Sequence, residues 1–219
     1  MSLLEGIFGP DVATSEGNLG DMAADLLPEE AVHLTRMVAS RRIEFAAGRM
    51  CARAAMRRLG LPPLPVLHGE DRAPIWPDGV VGSISHSGTK CVAAVALVAQ
   101  GYRAIGLDIE LAEPLPPELW SEICSQRELQ WLQRQDPQSR GVLAKTIFSA
   151  KECAYKAQFP ISRSLFGFET LGVALDLGDG SFDIVFEHAV APFAAGHGMH
   201  GRFRISDGMI VCGMALTDA

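Results

Sequence analysis

Apolar positions Ala104, Ile105, Leu107 and Ile109 mark a short strand that ends on two acids, Asp108 and Glu110. Residues two apart on a strand share a face, so these carboxylates project the same way. Further along, residues 139–159 predict a helix ending at Pro160. In it Glu152 and Lys156 lie four apart, on one face. Pro28, followed by Glu29 and Glu30 where the helix dipole favours acids, opens a helix through about residue 39. A second helix is expected over 41–59, stopped by Gly60 with Pro62 and Pro63 beyond. Residues 80–85 and 91–98 are strand-like, joined by a turn at 86–90. Ser125-Gln126-Arg127-Glu128 is a capping box that starts another helix. Strand pairs follow at 171–177 with 181–187, and at 201–205 with 209–216, around Gly178-Asp179-Gly180 and Ser206-Asp207-Gly208. Residues 1–27 are expected to be irregular, and 61–79 to be Pro-rich loop with short extended pieces. Helices followed or flanked by antiparallel strands occur in each half, an α+β pattern repeated coarsely twice.

Composition narrows the setting. The 219 residues suffice for one large domain or two small ones, and 48% hydrophobic residues supply a core. A net charge of −7 gives no bulk attraction to nucleic acid. No apolar run approaches the roughly 20 residues of a membrane span. The N-terminus has no basic region followed by an apolar stretch, so it does not read as a secretory signal. Five scattered cysteines without a Cys-x-x-Cys pair read as reduced thiols of a cytoplasmic protein.

The candidate chemistry lies in a few segments. Asp108, Glu110 and Glu152 form a hard-oxygen set suited to Mg²⁺, which commonly bridges carboxylates to substrate phosphates. Lys151 and Lys156 could hold the same phosphates as point charges. Singly, the acids read as solvated residues and Glu152–Lys156 as a surface ion pair; together they are less ordinary, because strands are depleted in Asp and Glu. Gly82-Ser83-Ile84-Ser85-His86-Ser87-Gly88 has the wrong glycine spacing for a nucleophilic elbow. Its Ser85 and His86 suit phosphate contacts instead. Residues 36–58 hold seven arginines against one acid, Glu44. Arg42, Arg49, Arg53 and Arg57 fall near one helix face, and Gly48 could admit a close neighbour. A loop with Arg72 and Trp76 could bracket a nucleotide, although a Trp packed under a Pro-rich loop is the commoner arrangement. His33, His68, His188, His197 and His200 show no metal spacing.

Four segments occur in a telling order: Gly48-Arg49-x-x-x-Arg53, then Trp76-Pro77-x-Gly79-x-x-Gly82-Ser83-Ile84-Ser85-His86-Ser87, then Gly106-Leu107-Asp108-Ile109-Glu110, then Phe148-Ser149-Ala150-Lys151-Glu152-x-x-Tyr155-Lys156-Ala157. Over residues 41–160 the chain resembles a 4′-phosphopantetheinyl transferase of the surfactin/siderophore-synthetase type, closest to the enterobactin-synthase branch. The resemblance implies an α+β pseudo-dimer of two similar halves, 1–103 and 104–219, with coenzyme A in the cleft between them. It implies transfer of phosphopantetheine to a serine of an acyl or peptidyl carrier protein by a monomer, with adenosine 3′,5′-bisphosphate leaving. By matching positions, Asp108, Glu110 and Glu152 would hold Mg²⁺, Glu152 would serve as base, and Lys156 would neutralise the diphosphate. Arg49, Arg53, Arg72, Ser85 and His86 would hold the coenzyme A phosphates and nucleotide, with Lys151 as a helper. Cys153 stands where Ser is common and Arg72 where Lys is common. Arg36, Arg57 and Arg58 are left as candidates for docking an acidic carrier. Two other readings use the same residues: a Mg²⁺-dependent phosphodiesterase or nucleotide hydrolase, and a catalytically silent carrier-protein binder.

Overall fold

The computed structural model describes residues 2–20 and 26–218, except for the side chains of Thr35 and Arg36. One element order, a strand, helices and four strands, occurs twice. The first run is β1 (Ala13–Asn18), α1 (Pro28–Ala31), α2 (Ala39–Arg58), β2 (Leu67–His68), β3 (Pro74–Ile75), β4 (Val80–Ser87) and β5 (Lys90–Leu97). The second is β6 (Tyr102–Leu111), a short α3 (Trp120–Ile123), α4 (Gln126–Gln133), α5 (Arg140–Ser162), β7 (Leu171–Asp176), β8 (Ser181–Phe186), β9 (Gly198–Ser206) and β10 (Met209–Thr217). The sheets run β1-β5-β4 and β6-β10-β9-β8-β7, with β2-β3 a separate ribbon. In both large sheets the first strand of the run pairs antiparallel with the last, and the last with the strand before it. The α+β expectation is met.

Each long helix lies on its own sheet through small residues. Ala47, Cys51, Ala52 and Ala55 of α2 are fully buried in one cluster with Cys91, Ala93 and Val95 of β5. Ala150, Cys153, Ala154 and Ala157 of α5 meet Phe182, Ile184, Phe186 and Ile210. Gly106 shows how close the second contact is: a Cβ there would lie 2.1 Å from the Cys153 carbonyl oxygen. Gly48 also admits a close neighbour: a Cβ there would lie 3.0 Å from Cγ2 of Ile84 in β4. The two sheets meet at β4 and β6. The hydroxyls of Ser83 and Ser85 accept the backbone N–H groups of Leu107 (3.1 Å) and Ile109 (3.3 Å). A cluster of Leu3, Leu4 and Ile7 with Val92, Ile105, Leu107 and Ile109 seals this junction. Burying such side chains contributes about 1.5–3 kcal/mol each. All five cysteines are buried and free.

Three expectations change. Residues 13–18, expected to be irregular, form edge strand β1, its Ser15 buried and opposite Ala93. The helix expected over 28–39 stops after one turn, continues as a 3-10 turn over Val32–Arg36, and is extended at Met37. Pro160 does not end α5, which runs on to Ser162 and is capped by Arg163 at φ 55°. Within the last turn Pro160 removes only one helical N–H, so the cost stays local. The capping box holds: Ser125 Oγ accepts the Glu128 N–H at 3.3 Å and the Glu128 carboxylate accepts the Ser125 N–H at 2.6 Å.

Candidate active site

The β4–β6 junction carries the acids predicted from sequence. Asp108 is 4% exposed, and both oxygens of its carboxylate accept hydrogen bonds. Oδ1 accepts Ser85 Oγ at 3.0 Å and Lys156 Nζ at 2.7 Å, and Oδ2 accepts Ser149 Oγ at 2.7 Å. Lys156 also donates to Ser85 Oγ at 3.0 Å. Burial lowers the Lys156 affinity for a proton, but the charge and hydrogen bond of Asp108 outweigh it, so the pKa rises and the ammonium stays charged. Glu110, two residues further along β6, pairs with Lys145 Nζ at 3.4 Å.

Glu110 and Glu152 are partly buried and resist ionisation. Burial and then the Asp108 charge push the Glu110 carboxyl up. Burial also raises Glu152, with Asp108 and Glu110 adding to it and Lys156 opposing. The three carboxylates therefore feel one another. Among the described residues, no three His, Cys, Asp or Glu side chains are gathered as a metal-holding group. The donor chemistry still fits a hard cation, because mutually repelling, partly buried carboxylates are what such an ion neutralises.

A cavity of about 650 Å³ opens between the 3-10 turn, α2 and the β2–β3 ribbon. Its lining includes His33, Arg41, Phe45, Arg49, His68 and Arg72. Arg49 donates to the carbonyls of Val66 and Leu67, both at 2.9 Å, and lies over the Phe45 ring at 3.9 Å. Burial lowers its pKa to about 10, so it remains cationic near neutrality. The rings of His33 and His68 stand 4.1 Å apart. Arg72 has φ 65°, held by a turn in which its N–H meets the Gly69 carbonyl at 3.0 Å. His86 links this cavity to the acids. Its Nε2 lies 3.0 Å from Arg41 Nη1 and 3.5 Å from Glu44. Burial lowers its pKa first; Arg41 and Lys156 push the same way, while Glu44 and Asp108 oppose. A smaller cavity of about 180 Å³ lies beside Glu152, lined by Tyr155, Phe166, Phe168 and Leu171.

The structure thus brings together Asp108, Glu110, Glu152, Lys156, Ser85 and His86, and places Arg49 and Arg72 in the adjoining cavity. Two predicted ligand residues sit elsewhere. Arg53 is buried against Glu30, which turns its charge inward. Lys151 is 1% exposed; its ammonium meets Glu128 at 3.0 Å and the carbonyls of Ile123 and Phe168 at 2.8 and 3.1 Å. Those three partners occupy all three of its protons. Arg42 and Arg57 are exposed whereas Arg49 and Arg53 are buried, so the four do not form one face. Trp76 packs in the first core rather than bracketing a cavity with Arg72. Arg57 and Arg58 are exposed, Arg58 donating to the Thr14 carbonyl; the Arg36 side chain lies outside the described residues. The sequence shows Arg41 only as one of a run of arginines and His33 and His68 only as histidines without metal spacing, and gives Ser149 no role. Arg41 belonged to the arginine run, and Ser149 stands three residues before Glu152 on α5, but neither signals a partner by spacing.

A cavity lined by arginines, together with a carboxylate–lysine cluster, suits a phosphorylated substrate, and comparison with known proteins gives the class. One family model, 4′-phosphopantetheinyl transferase N-terminal domain, matches residues 29–96. A second, the 4′-phosphopantetheinyl transferase superfamily, matches residues 104–201. The chain belongs to this superfamily and is a transferase. It is 37% identical over 216 residues to the 4′-phosphopantetheinyl transferase Svp of Streptomyces mobaraensis, covering 95% of this chain and 87% of that protein. It is 35% identical over 198 residues to the transferase Npt of Nocardia iowensis, covering 86% and 88%. Likeness to enterobactin synthase component D of Escherichia coli K12 is 40% over 120 residues, 53% of this chain and 54% of that protein. The similarity to Svp therefore reaches well beyond the 41–160 segment that carries the motifs. Among the described residues, no helix is long and apolar enough to cross a membrane.

Proposed function

We propose that this chain transfers 4′-phosphopantetheine from coenzyme A to a serine of an apo acyl or peptidyl carrier protein, with Mg²⁺, releasing adenosine 3′,5′-bisphosphate. The observation that carries this reading is continuity. A cationic cavity of about 650 Å³ is lined by Arg41, Arg41 stands 3.0 Å from His86, and His86 feels the charges of Lys156 and Asp108. Arg49, Arg72 and Arg41 take the nucleotide and its 3′-phosphate. His86 and Lys156 meet the diphosphate. Glu152 accepts the carrier serine proton; its raised pKa brings it nearer the working pH of a general base. The serine oxygen then bonds to the phosphorus next to pantetheine, the bridging P–O bond breaks, and the negative charge leaves on the bisphosphate. Asp108, Glu110 and Glu152 would hold Mg²⁺, which when bound supplies charge neutralisation and alignment of the diphosphate. Ser85 and Ser149 keep Asp108 in place.

The test is incubation with coenzyme A, Mg²⁺ and a panel of apo carrier proteins, read by mass. A phosphopantetheine mass gain on carrier supports the reading. Coenzyme A consumed equally without carrier would make this a hydrolase. Carrier binding without mass gain would make it a silent binder.

A further inference from the structure

We propose that two buried ion pairs, Glu30–Arg53 and Glu128–Lys151, are equivalent positioning devices, one per half. The first sets the cationic cavity and the second sets the surface around Glu152. This rests on the transferase reading and deepens it.

The two pairs share one plan. Each acid is the third residue of a short helix, α1 or α4, and accepts the N–H at the start of that helix: Leu27 at 3.0 Å, Ser125 at 2.6 Å. Each accepts a second backbone N–H from the strand region after the long helix: Val66 at 3.0 Å, Val173 at 2.7 Å. Each pairs with a cation of the long helix 23 positions on, Arg53 in α2 and Lys151 in α5. All four side chains are at most 6% exposed. Stability alone does not call for such pairs, since apolar residues of similar volume often serve as well or better. Their distinctive contribution is direction: each pair ties a short helix, a long helix and a following strand together at fixed angles.

What each pair holds differs. Glu30 fixes the Val66 N–H while Arg49 fixes the Val66 carbonyl, so one residue is gripped from both sides, two positions before His68 on the cavity wall. The helix carrying Glu30 leads directly into Val32 and His33, which line the same cavity. Lys151 precedes Glu152 in sequence and donates to the Phe168 carbonyl. Phe166, Phe168 and Leu171 face Glu152 and Tyr155 across the smaller cavity. Arg53 and Lys151 turn their charges to protein groups and therefore act through other residues.

The experiment compares two double variants, Glu30→Gln with Arg53→Met and Glu128→Gln with Lys151→Met, where Gln keeps an acceptor for the backbone N–H groups. Melting, kcat, and KM for coenzyme A are measured at saturating apo carrier. The first double variant is expected to raise KM for coenzyme A by about tenfold or more with kcat within about twofold. The second is expected to lower kcat by about tenfold or more with that KM within about twofold, since a 1 Å misplacement can cost about 10²-fold. Folded variants with both constants unchanged, or with both constants falling alike in the two, overturn the proposal. Where a double variant does not fold, Arg53→Lys and Lys151→Arg keep the charge and alter the geometry, and the same split must appear in them. If the wild type modifies no carrier, the function reading falls and this proposal with it. An active wild type without the split overturns this proposal alone.

Discussion

Lys156 reaches from α5 to β6 and sets its ammonium 2.7 Å from Asp108 Oδ1, so a charge that sequence spacing would assign to its own helix instead joins two elements. Asp108 is nearly inaccessible and Lys156 is 28% exposed at its side chain, so the lysine is the partly solvated member of the pair.

Lys156→Met should lower kcat by about 10²–10³, the loss seen when one preorganised transition-state donor is removed. It should also destabilise the fold, toward the low end of the roughly 3–5 kcal/mol for an orphaned buried charge, because the lysine is partly solvated and two hydroxyls still serve Asp108. A surface helix pair would cost less than about 1 kcal/mol and leave turnover alone. A variant that only melts earlier, with kcat/KM untouched, removes Lys156 from the chemistry.

The acids and Lys156 were legible because each lies in a short segment whose periodicity sets its face. Strand alternation placed Asp108 and Glu110, and helical spacing placed Glu152 with Lys156. Lys151 and Arg53 were misread because a buried lysine and a ligand lysine look alike in sequence. What separates them is a partner 23 positions upstream, and Glu128 was visible only as half of a cap. β1 was hidden because Ala-Thr-Ser-Glu-Gly-Asn has no alternation; its pairing with β5 is long-range. The break after α1 leaves Val32 and His33 at the cavity, an arrangement for which local propensity has no sign.

Chelation should abolish transfer, and Mg²⁺ should restore it. Glu110 is held by a single ion pair, with Lys145 at 3.4 Å, so Glu110→Gln should keep the fold and raise the Mg²⁺ needed for half-maximal rate. The expected rise is about tenfold or more, as loss of one of three charged donors implies. Full activity in EDTA, or an unchanged Mg²⁺ dependence in the variant, would end the metal assignment.

Stability should depend on Glu152 in a direction opposite to most carboxylates. Burial raises its pKa above the ordinary 4.5. A raised carboxyl favours the folded state fully below its unfolded pKa, and that contribution is lost as pH rises through the folded value. Glu152→Gln cannot ionise. Relative to wild type, its melting temperature should therefore gain between pH 4 and pH 8, while transfer activity is lost. Calorimetry at the two pH values checks this. A gap that moves the other way would mean that Lys156 stabilises the carboxylate more than burial opposes it.

The cationic cavity should read the 3′-phosphate of coenzyme A. Arg49 is bound by two carbonyls and an aromatic face, all neutral, so its charge remains available to an anion. Arg72 is exposed on its turn and Arg41 sits between the cavity and His86. A hydrogen bond to a charged group contributes about 1.5–3 kcal/mol, roughly ten- to a hundredfold in binding. Arg49→Ala or Arg72→Ala should raise KM for coenzyme A by that factor and leave KM for dephospho-coenzyme A, which lacks the 3′-phosphate, much less changed. Arg53→Lys acts on the shape of the wall and should raise both KM values together. The ratio of the two substrates therefore separates a ligand contact from a positioning residue. An unchanged preference for coenzyme A in the Arg49 and Arg72 variants would place the 3′-phosphate outside this cavity.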